Sequence, residues 1–288
     1  VSNDLDEIFE PGWRKKLEAA WDPSYTRARY WFVWSHNPDG TVQKQYPMEK
    51  IHRRHGFRWV HPVHEILQYN GTDADKTVWV DGIILHHHPD LSKPRTQYLP
   101  LLELSVQENP QDDRAMFWLG REYVYHGNYE KAIQTLNRHL NLPSAKWDEE
   151  RSASMRFLAR SCGALGNKRQ ELSWLYRALA ECPRVREPYL SLVKFGYKEN
   201  NWPLAYAMAE KGLSITQRGE SYLVEPESWG PALYDYGAIA AYRIGLLEKS
   251  REYAQKACGF EPSNARLKNN VDLIEQAIKK FSVKGALL

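Results

Sequence analysis

The chain reads as a mixed α+β segment over residues 1–94, followed by an all-α solenoid of about four helical hairpins over residues 95–281 and a short tail at 282–288, mostly helical overall. Three observations predict this. Strand and hairpin signals stop near Leu91-Ser92-Lys93-Pro94, and helix signals take over from Thr96. Glycines then recur: Gly127 and Gly166 are 39 apart, and Gly245 follows 79 later, close to twice that interval. Eight of the ten histidines lie between His36 and His88, which sets the first segment apart chemically.

In the first segment, Pro11-Gly12 opens a short amphipathic helix, Trp13 to Trp21, with Trp13, Leu17 and Trp21 on one face. Tyr25 to Ser35 is an aromatic-rich strand. Asn37-Pro38-Asp39-Gly40 is a turn in which Pro presets φ and Gly accepts φ > 0. Thr41 to Tyr46 is the returning strand of that hairpin. Ile51 to Trp59 and Thr77 to Leu85 are further strands, with breaks at Gly56 and Gly71-Thr72-Asp73.

In the second segment the missing middle glycine falls near Asn200-Asn201, and Pro143, Pro183 and Pro262 close their units. The first unit carries Leu119-Gly120, Tyr123, Gly127, Ala132, Leu136 and Pro143. The second carries Leu158-Ala159, Cys162, Gly166, Leu175, Ala178 and Pro183. The fourth carries Gly237-Ala238, Ala241, Gly245, Ala254, Ala257 and Pro262. The third, with Leu192, Ala205 and Ala209, is weaker. This pattern resembles the tetratricopeptide repeat. Small residues let paired helices approach, glycine turns the hairpin and proline stops the second helix. No hairpin buries its apolar face alone, so neighbours must stack. The period exceeds the usual repeat of about 34, which places insertions at Ser144 to Glu150 and Arg218 to Trp229. A solenoid implies a binding surface, with Tyr222 and Trp229 as aromatic contacts or core.

With 288 residues the chain has room for two cores. A formal charge of +3 and no basic stripe argue against a nucleic-acid partner. No apolar run approaches the roughly 20 residues of a membrane span. Cys162, Cys182 and Cys258 are widely spaced and read as small buried residues, which points to a reducing, cytoplasmic setting. The chain opens on Val1 rather than Met, so a longer natural protein is expected.

Three places carry chemistry. Asp4-Leu5-Asp6-Glu7 offers two carboxylates which, at a strand end, project to one side and suit a divalent cation bound to a diphosphate. In Trp59-Val60-His61-Pro62-Val63-His64-Glu65, the His64–Glu65 pair beside a rigid proline suits a general base. His86-His87-His88 follows an apolar strand, and one of the three is a candidate metal ligand.

In this order the elements resemble the C-terminal part of a family 2 glycosyltransferase of the GT-A fold. The match runs through Asp4-Leu5-Asp6-Glu7, Pro11-Gly12-Trp13-Arg14-Lys15-Lys16-Leu17, Arg53-Arg54, Gly56-Phe57-Arg58-Trp59, Val63-His64-Glu65 and Leu85-His86-His87-His88, with the repeats attached behind. The resemblance implies that Asp4 and Asp6 contact the nucleotide-sugar diphosphate and, with His87, a divalent metal such as Mn2+ or Mg2+. It implies Glu65, assisted by His64, as catalytic base. The partners it implies are a nucleotide-sugar donor, a glycan, lipid-linked or peptide acceptor, and a protein on the repeats. The reaction would invert the anomeric centre. Leu5 replaces the small residue usual in the acidic motif, and the family's uridine-binding half would lie before Val1, so this chain alone is expected to be inactive. The alternative is a non-catalytic interaction protein in which the repeats carry the function. A metal hydrolase is disfavoured, because no His-Glu-x-x-His spacing occurs.

Overall fold

A computed structural model describes residues 1–90 and 98–285. The expected junction at Leu91–Pro94 lies outside them. The chain divides into two compact units: Val1–Leu119 with Glu220–Tyr222, and Gly120–Gly219 with Leu223–Leu288.

The first unit is built on a small mixed sheet. Its strands are β1 (Glu7–Phe9), β2 (Arg27–His36), β3 (Val42–His52), β4 (Phe57–Val60), β5 (Ile66–Tyr69) and β6 (Thr77–His87). Four of them run in the order β1-β6-β2-β3, with β2 and β6 parallel and the other pairs antiparallel. β4 and β5 form a separate two-stranded ribbon.

Strand periodicity explains the core. Ala28, Tyr30 and Phe32 alternate inward along β2 and meet Ile51, Val80, Ile83 and Leu85. Helix α1 (Trp13–Ala20) lays Trp13 and Leu17 against them, as its four-residue spacing requires. The inward parity of β6 changes between Val80 and Ile83. There Gly82 takes φ 72° and the register jumps from Arg29↔Trp79 to Trp31↔Ile84. β2 advances two residues over this step and β6 five, so β6 bulges out, with glycine at the positive φ where a Cβ would be strained.

The second unit is a run of antiparallel helices. α2 (Tyr98–Glu108) precedes it in sequence, and α3 (Asp113–Tyr125) leads in. The hairpins are α3 with α4 (Tyr129–Asn141), α5 (Asp148–Ala164) with α6 (Lys168–Glu181), α7 (Glu187–Lys198) with α8 (Trp202–Leu213), and α9 (Ala232–Arg243) with α10 (Leu247–Phe260). α11 (Ala265–Gly285) follows.

One hydrogen-bonded turn recurs in all four. Asn128 N–H donates to Tyr123 O, Asn167 to Cys162 O, Asn201 to Gly196 O and Leu246 to Ala241 O, each at 2.8–2.9 Å. The residue before each donor sits at positive φ: Gly127, Gly166 and Gly245 at 72–83°, and Asn200 at 55°. This is the left-handed stop that caps orphan carbonyls at helix C-termini, and asparagine is the side chain that tolerates it best after glycine. The third repeat is therefore regular in backbone although its sequence signature is weak. The helical unit has tetratricopeptide-type hairpin architecture on this geometry.

Three expectations are corrected. Ile51 to Trp59 is not one strand: β3 ends at His52, Gly56 turns at φ 84°, and β4 starts at Phe57. The segment Asp4-Leu5-Asp6 is not a strand end. It is a turn in which Glu7 N–H donates to Asp4 O at 3.1 Å, and the strand starts after it. Helix α11 continues to Gly285, so residues 282–285 are helical rather than tail.

Candidate functional site

Antiparallel pairing of β1 with β6 sets Glu7 opposite His87 and Ile8 opposite His86, and His88 N–H donates to Asp6 O at 2.7 Å. This register carries the acidic turn to the end of the histidine strand. His87 Nε2 lies 3.6 Å from Asp6 Oδ2, so two of the three expected metal ligands meet. The other ring nitrogen, Nδ1, lies 3.2 Å from the carbonyl oxygen of Trp34, and the ring stacks on the Trp34 indole at 4.5 Å. A carbonyl only accepts, so Nδ1 carries a proton and Nε2 is the ring nitrogen turned to Asp6. A backbone carbonyl fixing the tautomer is also how proteins orient a ligating histidine.

Asp4 is placed elsewhere. Its carboxylate pairs with Lys50 Nζ at 2.9 Å, and the same ammonium contacts Glu7 Oε1 at 2.5 Å. Glu7 is 8% exposed and also accepts the Asp4 N–H at 3.0 Å. Burial works against the charge on Lys50, but its hydrogen bonds to Glu7 and Asp4 outweigh this and hold its pKa above the usual lysine value. The acidic motif is thus split by role. Glu7 and Asp4 tie the turn to β3, and Asp6 faces the histidine. Among the described residues, no group of three or more His, Cys, Asp or Glu side chains is arranged to hold a metal ion.

Beside this corner lies a histidine chain that sequence reasoning missed. His36 Nε2 is 2.9 Å from His86 Nδ1, and His86 Nε2 is 3.1 Å from Glu10 Oε1. His88 stacks on His36 at 5.5 Å. Burial, then the neighbouring imidazoles of His86, His88 and His87, push the His36 pKa down. Only the parallel β2–β6 pairing makes His36 a neighbour of residues 50 positions away.

The loop between β4 and β5 is backbone-strained at two non-glycine residues, His61 at φ 73° and His64 at φ 53°. Such residues cost roughly 1–3 kcal/mol each and persist only where surroundings impose them. His61 Nδ1 lies 3.5 Å from Asp112 Oδ2. His64 stacks on Trp118 at 4.1 Å and on Tyr98 at 5.5 Å, and Trp118 stacks in turn on Tyr222 at 5.4 Å. Glu65, next in sequence, is exposed and makes no hydrogen bond or ion pair among the described residues. The expected base pair is therefore one held imidazole and one solvated carboxylate.

The helical unit carries a groove of about 550 Å³ between α5 and α7, the first helices of consecutive hairpins. Arg156 and Arg160 lie one turn apart on α5, and Lys194 and Lys198 one turn apart on α7. Phe157 and Phe195 line the groove with them. Cys162 of α5 and Cys182, just after α6, are buried and Cys258 is half-buried; all three are free thiols, and burial pushes the Cys182 thiol up to about 11. Trp229 is half-buried under the Arg186 guanidinium at 4.0 Å. No helix among the described residues is long and apolar enough to cross a membrane.

No family model matches the chain, and no curated protein matches it either. Several solved helical-repeat structures resemble it in part. A thermophilic TPR protein in Thermus thermophilus is 20% identical with a TM-score of 0.44, covering 62% of this chain and 89% of that one. YrrB, a TPR protein with an unusual peptide-binding site, is 14% identical with a TM-score of 0.44, covering 64% and 82%. The Cut9–Hcn1 structure is 14% identical with a TM-score of 0.49, covering 64% of this chain and 33% of that one. Each is a likeness of architecture at low sequence identity.

Proposed function

We propose that the helical unit is a docking platform for a protein partner, with the α5–α7 groove as its seat. The observation that carries this reading is the groove itself, about 550 Å³ with two rows of cations above an apolar floor that includes Phe195. Its volume lies in the range that holds a bound ligand or a short peptide stretch. Stacked hairpins repeat the same helix on one side and so build such surfaces without catalytic machinery. The test is an array of acidic, basic and neutral peptides probed with the whole chain and with an Arg160→Glu/Lys194→Glu variant. Peptides that bind the chain and lose it in the variant support the reading. An array on which the two proteins behave alike would end it.

The His87–Asp6 pair favours a second reading, for the sheet unit: part of an inverting family 2 glycosyltransferase that transfers sugar from a nucleotide-sugar donor to a glycan, lipid-linked or peptide acceptor. The chemistry of the pair fits a divalent metal, with a hard carboxylate oxygen beside a carbonyl-oriented imidazole nitrogen. Asp6 and His87 would hold Mn2+ or Mg2+, which when bound would neutralise charge on the leaving diphosphate. Asp4 would act only by holding the turn. Glu65, exposed beside strained His64, would take the proton of the acceptor. Titration of the chain with Mn2+, followed by electron paramagnetic resonance, tests the metal pair. Loss of the bound signal in His87→Ala and Asp6→Ala is expected; an unchanged signal sinks the pair. Turnover of nucleotide sugars by a longer protein containing this chain should also vanish in Asp6→Ala.

A further inference from the structure

Three of the four groove cations are already answered by acids, and two of the acids come from outside the helical hairpins. Arg156 Nη1 contacts Glu225 Oε1 at 2.7 Å, and Lys194 Nζ contacts Glu227 Oε2 at 2.6 Å. Both glutamates belong to the connection between α8 and α9, at and beside the 3-10 turn Pro226–Trp229. Lys198 is answered by Glu171 of α6 at 2.9 Å, and Arg160 meets no carboxylate among the described residues, lying instead over the Tyr125 ring at 6.0 Å.

The two ends of the Arg156–Glu225 contact differ, whereas Lys194 is itself 41% exposed. The Arg156 side chain is 11% exposed, and its Nε is buried without a hydrogen-bond partner. The glutamates are 42% and 52% exposed. A buried, half-satisfied guanidinium therefore faces the half-exposed carboxylate of Glu225. The glutamate backbone is held from behind, by Glu225 N–H donating to the buried Glu187 Oε1 at 3.0 Å. Glu225, with extended backbone, and Glu227, inside the 3-10 turn, thus span from the α5 row of cations to the α7 row.

We propose that the groove receives an acidic segment of a partner protein, and that Glu225-Pro226-Glu227 is an internal stand-in which the partner's carboxylates displace. This rests on the docking reading above and names the chemistry of the partner. Charge complementarity selects acidic over neutral or basic segments, and Arg160 supplies the cation that the stand-in leaves unanswered. An intramolecular competitor at high effective concentration lowers apparent affinity until it is displaced. The Lys194–Glu227 pair is exposed at both ends and individually weak, and an incoming carboxylate that takes the place of Glu225 keeps Arg156 paired, so exchange for another acidic chain costs little.

The experiment is fluorescence polarisation with the whole chain and a labelled peptide carrying Glu-Pro-Glu twice, beside a control peptide with Gln for each Glu. The acidic peptide is expected to bind, to weaken as salt rises, and to bind about fivefold more tightly to a Glu225→Gln/Glu227→Gln variant. Arg160→Ala/Lys194→Ala should bind about tenfold more weakly. Circular dichroism checks that each variant folds. Equal binding of the Gln peptide, affinity unchanged or reduced in Glu225→Gln/Glu227→Gln, or displacement by polyphosphate as readily as by the acidic peptide would each overturn the proposal. If neutral or basic array peptides occupy the groove instead, the acidic assignment fails and the docking reading stands. If no peptide on the array responds to the groove variant, both fall.

Discussion

The two units solve the same problem, closing a core around polar groups, by opposite means. In the sheet unit the stabilising contacts are long in sequence. Arg27 reaches Glu49 and Asp75, Lys50 reaches Asp4 and Glu7, and His87 reaches Asp6 and Trp34. In the helical unit the defining contacts are local and repeated, the same turn recurring four times with the donor always five residues after the acceptor. The difference teaches where function has room. A unit held by distant pairings can bring unlike chemistry to one corner, as the sheet does with an acidic turn and a histidine strand. A unit built from one local motif presents a regular surface, and its specificity comes from what lines that surface.

Core substitutions probe this contrast most strongly. Phe32 is 1% exposed at the centre of the sheet core, and Phe32→Ala should destabilise by about 3–5 kcal/mol. Hydrogen exchange should show loss of protection across β2, β3 and β6 together, because their pairing is one cooperative network. Loss confined to β2 would contradict that view.

The turn residues come next. Gly166 sits at φ 79°, and a Cβ there would meet no atom within 4 Å, so Gly166→Ala tests backbone strain alone. A cost of about 1–2 kcal/mol is expected, measured by urea denaturation. Asn200→Gly, at the equivalent turn of the third repeat, should be neutral or slightly stabilising. Equal costs for the two would mean that the four turns are not equivalent.

Titration separates the units by sign. In the sheet unit, hydrogen bonds from Tyr69 and then Arg53 hold the Asp73 carboxyl down to about 2. A depressed acid stabilises the fold above its unfolded pKa, and this contribution is lost as pH falls through about 2. Asp73→Asn should therefore lower the melting temperature at neutral pH and make little difference at the acid end. In the helical unit, burial pushes the Glu187 pKa up. A raised acid is best tolerated protonated, so its ionisation opposes folding above the ordinary carboxylate range. Glu187→Gln should raise the melting temperature at neutral pH, and the gain should shrink as pH falls below that range. A loss of stability at neutral pH in Glu187→Gln would reverse the assigned role. Exposed pairs set the floor: removing the Arg14–Glu18 contact on α1 with Glu18→Ala should change stability by no more than about 0.5 kcal/mol.

Much of the repeat architecture was legible in the sequence, because its determinants are local. Gly127, Gly166 and Gly245 announce turns by their own conformational freedom, and Pro143, Pro183 and Pro262 each follow a helix end. Asn200 was readable only as a gap in a series, since asparagine enters the left-handed region without announcing it. The candidate site was half legible. Asp6 and His87 stood out by residue type, but Glu7, Lys50, Trp34 and His36 did not, since nothing nearby in sequence marks them. Asp4 misled for a related reason: an Asp-x-Asp pair shares a face only on a strand, and here the chain turns.

By itself, then, the sequence determined the helical hairpins, the place of their turns and the aromatic-rich strand at 25–35, all of which depend on neighbours within a few residues. Only the tertiary structure decided that Asp6 faces His87 while Asp4 faces Lys50, and that Glu225 and Glu227 reach the cations of α5 and α7. Those pairings depend on strand register and helix stacking, and a side chain's partner across such a distance is fixed by the fold as a whole.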